Sequence, residues 1–478
     1  MSCNNLQYTP LSEIPEIYAR VTKTFKAGTT RPLSYRRHQL LQLARMMQEN
    51  IVTIEDALLA DLGKQRQEST VTELTPIIQG SINAAESLEE WAKPEKPKVE
   101  AWRSSWDTTI YHVPKGVVLL ISPWNYPIIL TFLGLIGAIA AGCPTVIKPS
   151  ECTPTVAAVM ADLVPKYLDP AAYAVVNGAV EETKMLLDLQ WGHIFFTGST
   201  RIGRIVATAA AKYVTPVTLE LGGKSPVIVS PDYDLELAAK RILYGKVQNV
   251  GQLCVSPDYV LVPRSVYKPF VEALKKTYAS FFPTDPLDKE SKWGKIVNEP
   301  NYRRVKGLIE ETKGDVILGG KWDDTRLRVA LTVVSEVKLN DPLMEEELFG
   351  PILPIVEVED VDEAVQIVAD RPYPLVIYTF SNSNEVKEKI TNRTNSGTFV
   401  FNDTQMQLAV HEIPFGGHGE SGYGGYMGKD SYNIFTHRRG YINVPTEMEP
   451  FYAYRYLPYS EESYKVMTQG ARVKIPEA

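Results

Sequence analysis

The sequence predicts an α/β protein built on two doubly wound parallel sheets, with a small β element outside them. Three observations carry that prediction. From Gly116 to Gly222 short β-rich runs alternate with helix-length runs, the rhythm of parallel strands in one sheet covered by helices on both faces. After Pro226 a second such series begins. Before the first series, Lys93-Pro94-Glu95-Lys96-Pro97-Lys98 is charged and proline-bearing, and the run Asp107 to His112, rich in Thr, Ile and Tyr, reads as a short strand outside the main sheets.

The size allows this. With 478 residues, 44% hydrophobic and 22% charged, the chain is long enough for two or three domains around a sizeable core. A formal charge of −7 speaks against nucleic acid as a partner, since phosphate binding needs a basic surface. The 4 cysteines, Cys3, Cys143, Cys152 and Cys254, show no C-x-x-C spacing, so neither a zinc site nor a disulfide framework is indicated and a reducing compartment is expected. Met1 to Pro10 has neither a basic start nor an apolar run, so no secretory signal is read there.

In chain order, residues 12 to 91 read as helices covering a sheet: Leu40, Leu41, Leu43, Ala44, Met47 and Ile51 keep helical spacing, and Glu73 to Trp91 repeats it. The apolar region Gly116 to Ile147 is not a membrane span, because Ser122 to Pro127 and Gly142-Cys143-Pro144 divide it into strand, turn, helix and strand. The β-rich runs are Val117 to Ile121, Thr145 to Ile147, Tyr173 to Val176 and His193 to Phe196, with helices near 128–141, 154–167, 180–190 and 201–212. The second series has strands near 226–229, 258–262, 352–357, 375–380 and 397–401, and helices near 232–250, 266–281, 301–313 and 361–369. Beyond Asn402 the glycine-rich run Phe415 to Gly425 suits a loop lying against ligand or another backbone, not a core strand.

Ligands of a doubly wound sheet bind beyond the carboxyl ends of its strands, where the chain places Trp124-Asn125, Lys148-Pro149-Ser150-Glu151 and Gly198-Ser199-Thr200-Arg201-Ile202-Gly203. The last suits phosphate approaching a helix N-terminus, although it is neither G-x-G-x-x-G nor a P-loop, and a plain tight turn remains the alternative. Lys148 and Glu151 could equally be a solvated loop pair. Cys254 stands at a helix break, between Asn249-Val250-Gly251 and Ser256-Pro257, where a free backbone N–H can favour thiolate and bind an oxyanion. Alone it could as well be a buried small hydrophobe.

Seven segments, taken in order, resemble the aldehyde dehydrogenase superfamily from about residue 12 to 445: Pro123 to Pro127, Lys148 to Glu151, Phe196 to Ser199, Leu219 to Pro226, Gly251 to Cys254, Glu346 to Pro351 and Pro414 to Gly417. Asp61-Leu62-Gly63-Lys64 through Glu73, and Gly428-Lys429 through Arg439, are similar to the class 3 branch, which includes fatty and aromatic aldehyde dehydrogenases. The resemblance implies an NAD(P)-binding domain of residues 1–91 and 115–221, a catalytic domain of 222–401, a bridging element of 92–114 and 402–445 that joins a homodimer, and a tail of 446–478.

It also implies roles. Cys254 is the nucleophile, Glu220 the base for water, and Asn125 with the Cys254 N–H the oxyanion donors. Lys148 and Glu151 face the adenosine ribose, Gly198, Ser199 and Gly203 form the pyrophosphate turn, Glu347 with Phe349 holds the nicotinamide end, and Trp124 lines the crevice. Glu346 is the surface alternative to Glu347. The cofactor expected is NAD, with NADP also taken in this branch, and no metal. Cys143 and His418 depart from the family pattern, where asparagine and a small apolar residue are common.

The expected reaction is oxidation of a hydrophobic aldehyde, long-chain or aromatic, to the acid through a thiohemiacetal and a thioester. The alternatives are a CoA-acylating enzyme, or an idle binding protein of the same fold. Membrane-bound relatives carry an apolar anchor after an Arg-Tyr-Pro-Pro-like stretch. Here Arg455 to Tyr459 is followed by a polar run, so a soluble, cytoplasmic protein is expected, with membrane contact only if an anchor was removed.

Overall fold

A computed structural model describes residues 6–477. Cys3 lies outside the described residues. The chain forms two compact units, 1–91 with 114–436 and 92–113 with 437–478.

The larger unit holds both sheets. The first has six strands in the order Tyr173–Val175, Thr145–Lys148, Val118–Ile121, His193–Thr197, Val217–Glu220 and Gly422–Tyr423, all parallel except the last. The order reverses direction between Val118–Ile121 and His193–Thr197, the switch point of a doubly wound sheet. Both faces are buried, so the strands read as continuous apolar runs. Leu119, Ile121, Ile194 and Phe196 meet Ile14 and Val21 of the helix Ile14–Lys26, whereas Val118, Leu120 and Phe195 join a core that includes Leu40, Leu43, Leu58, Ile77 and Leu88 of the other N-terminal helices.

The second sheet has seven strands in the order Thr398–Phe401, Val376–Phe380, Pro226–Val229, Tyr259–Pro263, Ile352–Val358, Thr332–Ser335 and Asp315–Leu318, with one antiparallel edge. Thr332–Ser335 and Asp315–Leu318 were not expected from sequence; each is a run of only four residues.

Residues 402–436 pack in the larger unit. Gly422–Tyr423 forms an edge strand against Leu219–Glu220, so close that a Cβ on Gly422 would stand 1.9 Å from the Leu219 carbonyl oxygen. The helix Gly428–Phe435 lies over the apolar helix Ile129–Ala141 at Gly137, where a Cβ would be 2.6 Å from the Ser431 oxygen.

The smaller unit pairs Thr109–Pro114 with Thr436–Tyr441 in a two-stranded sheet. Glu95 bridges His112 at 2.7 Å and Arg438 at 2.6 Å, and Trp106 donates to the Tyr452 hydroxyl at 2.7 Å. Among the described residues no helix is long and apolar enough to cross a membrane.

Candidate active site

The carboxyl ends of the first sheet's strands face residues from the amino ends of the second sheet's strands, with a cavity of about 740 Å³ between them. The strand Val118–Ile121 ends in a turn that carries Trp124 and Asn125; His193–Thr197 ends in Gly198 and Ser199; Val217–Glu220 ends in Glu220 itself. Opposite them, Cys254 precedes Tyr259–Pro263, and Glu347 and Phe349 precede Ile352–Val358. The Trp124 and Phe349 rings meet edge to face at 5.2 Å.

The helix leading to the cysteine runs Leu235–Val247, capped by Asp234, whose carboxylate accepts from the Glu236 and Leu237 N–H groups. It stops earlier than the sequence suggests. Asn249 (φ 46°), Val250 (φ 58°) and Gly251 (φ 72°) are all left-handed, which reverses the chain into Gln252 and Cys254. A β-branched residue in that region costs on the order of 1–3 kcal/mol, so the turn is held by its surroundings. Gly251 is required twice over, by its φ and because a Cβ would be 2.3 Å from the Gly350 oxygen. Asn249 Nδ2 donates to the Asn125 carbonyl oxygen (2.8 Å) and to that of Gln252 (3.1 Å); Asn125 Nδ2 donates to the Gln252 oxygen (3.2 Å). One amide N–H of Asn125 stays available to the cavity.

Burial pushes the Cys254 thiol up to about 12, with the Glu347 and Glu220 carboxylates adding to it and the Cys254 and Val255 N–H groups opposing. Desolvation outweighs the backbone donors that the helix break supplies. Glu220 is buried with both carboxylate oxygens lacking a partner, and burial alone holds it well above the usual carboxylate range. Glu347 is raised to about 8, by burial first and Asp258 second, and its Oε1 is likewise unpartnered. Beneath it Lys224 is ion-paired with Asp258, and the buried Lys246, lowered to about 8 by desolvation, has no hydrogen-bond partner for Nζ.

Of the expected residues, Cys254, Glu220, Asn125, Trp124, Gly198, Ser199, Glu347 and Phe349 line this cavity. Lys148, Glu151 and Gly203 do not. Lys148 Nζ, at the end of the neighbouring strand, is taken up by the Pro149 oxygen (2.7 Å) and Glu151 (3.2 Å). Gly203, inside the helix Thr200–Ala211, faces Leu221, where a Cβ would be 2.7 Å from Cδ2. Glu346 lines the cavity beside Glu347.

Sequence reasoning missed Asn249's role, Arg304 and Arg371. Arg304 and Arg371 donate to the Leu348 and Met344 oxygens at 2.8 and 2.9 Å and lie in no motif that could have flagged them. Arg201, Arg204, Lys224, Arg304 and Arg371 also stand in the wall. Cys143 is buried, with its thiol raised to about 11 by desolvation and donating to the Phe435 oxygen at 3.4 Å. His418 stacks on Tyr373 at 5.0 Å, at the cavity rim.

The cavity suits a dinucleotide. Gly198 lets backbone approach where a Cβ would strike Phe196, the N–H groups opening the helix Thr200–Ala211 point to the turn, Arg201 adds a cation, and Glu347 keeps an unpartnered buried oxygen. Among the described residues no His, Cys, Asp and Glu cluster could hold a metal.

The sequence profile of the aldehyde dehydrogenase family matches residues 5–440. The dimeric NADP-preferring aldehyde dehydrogenase of Rattus norvegicus is 42% identical over 448 residues, 94% of this chain and 98% of that protein. Aldehyde dehydrogenase family 3 member B1 of Homo sapiens is 42% identical over 450 residues, 94% of this chain and 95% of that protein. The substrate-bound structure of Staphylococcus aureus AldH is similar with a TM-score of 0.92 at 36% identity, covering 96% of this chain and 99% of that one.

Proposed function

The chain belongs to the aldehyde dehydrogenase family, and from that premise we propose that it oxidises hydrophobic aldehydes, long-chain aliphatic or aromatic, to carboxylic acids through Cys254 with NAD(P). The observation that carries this reading is the convergence of a thiol, an amide donor and an unpartnered buried carboxyl, Cys254, Asn125 and Glu220, on one cavity.

An aldehyde has no leaving group, so a nucleophile must first make a tetrahedral adduct. Cys254 Sγ attacks the carbonyl carbon. The thiol, raised by burial, gives up its proton to solvent as it attacks. The free N–H of Asn125 Nδ2 and the Cys254 backbone N–H hold the oxyanion; losing one such donor typically costs about 100- to 1000-fold. When bound, the nicotinamide supplies the hydride acceptor that lets the thiohemiacetal become a thioester. Gly198, Ser199 and Arg201 would hold the diphosphate, Glu347 and Phe349 the nicotinamide end, and Lys148 and Glu151 the adenosine ribose. Glu220 then takes a proton from water, which hydrolyses the thioester on Cys254. A carboxyl raised by burial is a stronger base than an exposed one.

Trp124, Leu130, Leu221 and Phe349 line the cavity, and the arginine and lysine side chains there other than Arg201 already have protein partners, which favours an uncharged substrate. A homodimer fits the exposed Tyr111, Tyr441, Ile442 and Val444 around the two-stranded sheet of the smaller unit. The test is product analysis without CoA across aldehydes from acetaldehyde to hexadecanal, with benzaldehyde alongside. Acid and NAD(P)H should appear in equal amounts, with kcat/KM rising with chain length, as each buried CH2 contributes up to about 0.8 kcal/mol. Strict CoA dependence, or an optimum at acetaldehyde, would overturn the reading.

A further inference from the structure

We propose that Lys64, Glu68 and Glu73 form a positioning clamp that sets the amide of Asn125 against Cys254. The inference rests on the reaction proposed above, and concerns residues to which that reaction gives no part.

Lys64 and Glu73 make an ion pair at 2.5 Å with both side chains wholly shielded from solvent. Each then reaches onto the turn that carries Asn125. Lys64 Nζ also donates to the Asn125 carbonyl oxygen at 3.2 Å and lies 3.6 Å from the centre of the Tyr126 ring. The other Glu73 oxygen accepts from the Ile128 and Ile129 N–H groups, at 2.9 and 3.1 Å, where the turn enters the helix Ile129–Ala141. The same short segment grips the cysteine's turn: Glu68 Oε1 accepts from the Asn249 N–H at 2.7 Å, at the first of the three left-handed residues. Asn249 in turn bonds the Asn125 and Gln252 oxygens, so the two turns are tied to each other and to one outside support.

A buried ion pair is a poor device for stability alone, because an apolar pair of similar shape packs as well without desolvating two charges. What charge offers here is direction, an ammonium and a carboxylate each making several fixed bonds to backbone on both sides of Asn125. Lys64, Glu68 and Glu73 touch no reacting atom; they act through Asn125 and Asn249.

The test is the double substitution Lys64→Met with Glu73→Gln, which removes the charges together and keeps an acceptor for the Ile128 and Ile129 N–H groups. Cofactor affinity and the rate at which iodoacetamide labels Cys254 should stay at wild-type values while kcat falls by roughly 10- to 100-fold, as expected for a donor displaced by part of an ångström. In an Asn125→Ala background the same pair should cost nothing more, because the donor it places is gone. A wild-type kcat, or losses that multiply, would overturn the clamp. If the double variant does not fold, the other arm decides: Glu68→Ala should slow kcat with KM unchanged, and Glu68→Gln, which keeps an acceptor for the Asn249 N–H, should restore it. Equal rates for Glu68→Ala and Glu68→Gln would sink the proposal. Full activity in Asn125→Ala alone would instead overturn the oxyanion role on which the clamp depends.

Discussion

Gly251→Ala should give a folded protein that binds cofactor yet turns over aldehyde about 100-fold more slowly. Gly251 has φ 72°, and an added Cβ would stand 2.3 Å from the Gly350 oxygen, 2.6 Å from its carbon and 3.1 Å from the Pro351 nitrogen. Ordinary contact begins at 3.4 Å, so one of two backbones must give by about 1 Å. Neither can relax into a flexible side chain. One backbone leads into Cys254, and the other follows directly on Glu347 and Phe349. Whichever moves, the thiol shifts against the residues across the cavity, and a misplacement of about 1 Å costs about 100-fold in rate. The left-handed strain on alanine adds about 1–2 kcal/mol, which a domain of ordinary stability, about 5–15 kcal/mol, survives. Steady-state kcat with a long-chain aldehyde, a thermal melt and a cofactor titration measure the three consequences. An unchanged kcat would refute the argument that this contact fixes the cysteine, and loss of fold would show that the contact is one of stability.

Labelling of Cys254 by iodoacetamide in the cofactor-free protein should still climb above about pH 9, because the thiolate fraction grows about tenfold per unit below a thiol raised to about 12. A plateau near neutral pH would contradict this. Glu347→Gln should speed that labelling, and more so above about pH 8, where the Glu347 carboxyl raised to about 8 carries its charge; an unchanged rate would remove Glu347 from the thiol's surroundings. Glu151→Gln should raise kcat/KM for NADP relative to NAD by up to about fivefold, the modest size set by its partial exposure, and no change would mean Glu151 does not meet the ribose. Light scattering at low micromolar concentration should give a dimer of the 53.4 kDa chain, and a tetramer would count against it.

Much of this was legible in the chain because the signals are local. The alternation of apolar runs and helices from Gly116 to Gly222 specifies a parallel sheet with both faces covered, and the strands fall where that pattern ends. The seven motifs placed Cys254, Glu220 and Asn125, which the fold then brings to one cavity from three separate segments. What stayed hidden depends on tertiary contact. The break at Asn249-Val250-Gly251 was readable from poor helix formers, whereas the left-handed reversal it makes, held from outside by Glu68 and Asn125, was not. The backbone donor beside Cys254 could be inferred from the helix break, whereas the desolvation that opposes it could not. The glycine-rich run lies against another backbone as its composition suggests, but that Gly422–Tyr423 pairs there as an edge strand depends on its close approach to Leu219.

The central claim is that the aldehyde's carbon passes through a thioester on Cys254 that Glu220 releases. Mass spectrometry of Glu220→Gln protein, mixed with hexadecanal and NAD and quenched in acid, tests it most directly. An acyl group should accumulate on the peptide that carries Cys254 while steady turnover falls roughly 100-fold or more. An unmodified Cys254 peptide during full acid production, or acylation at another residue, would contradict it.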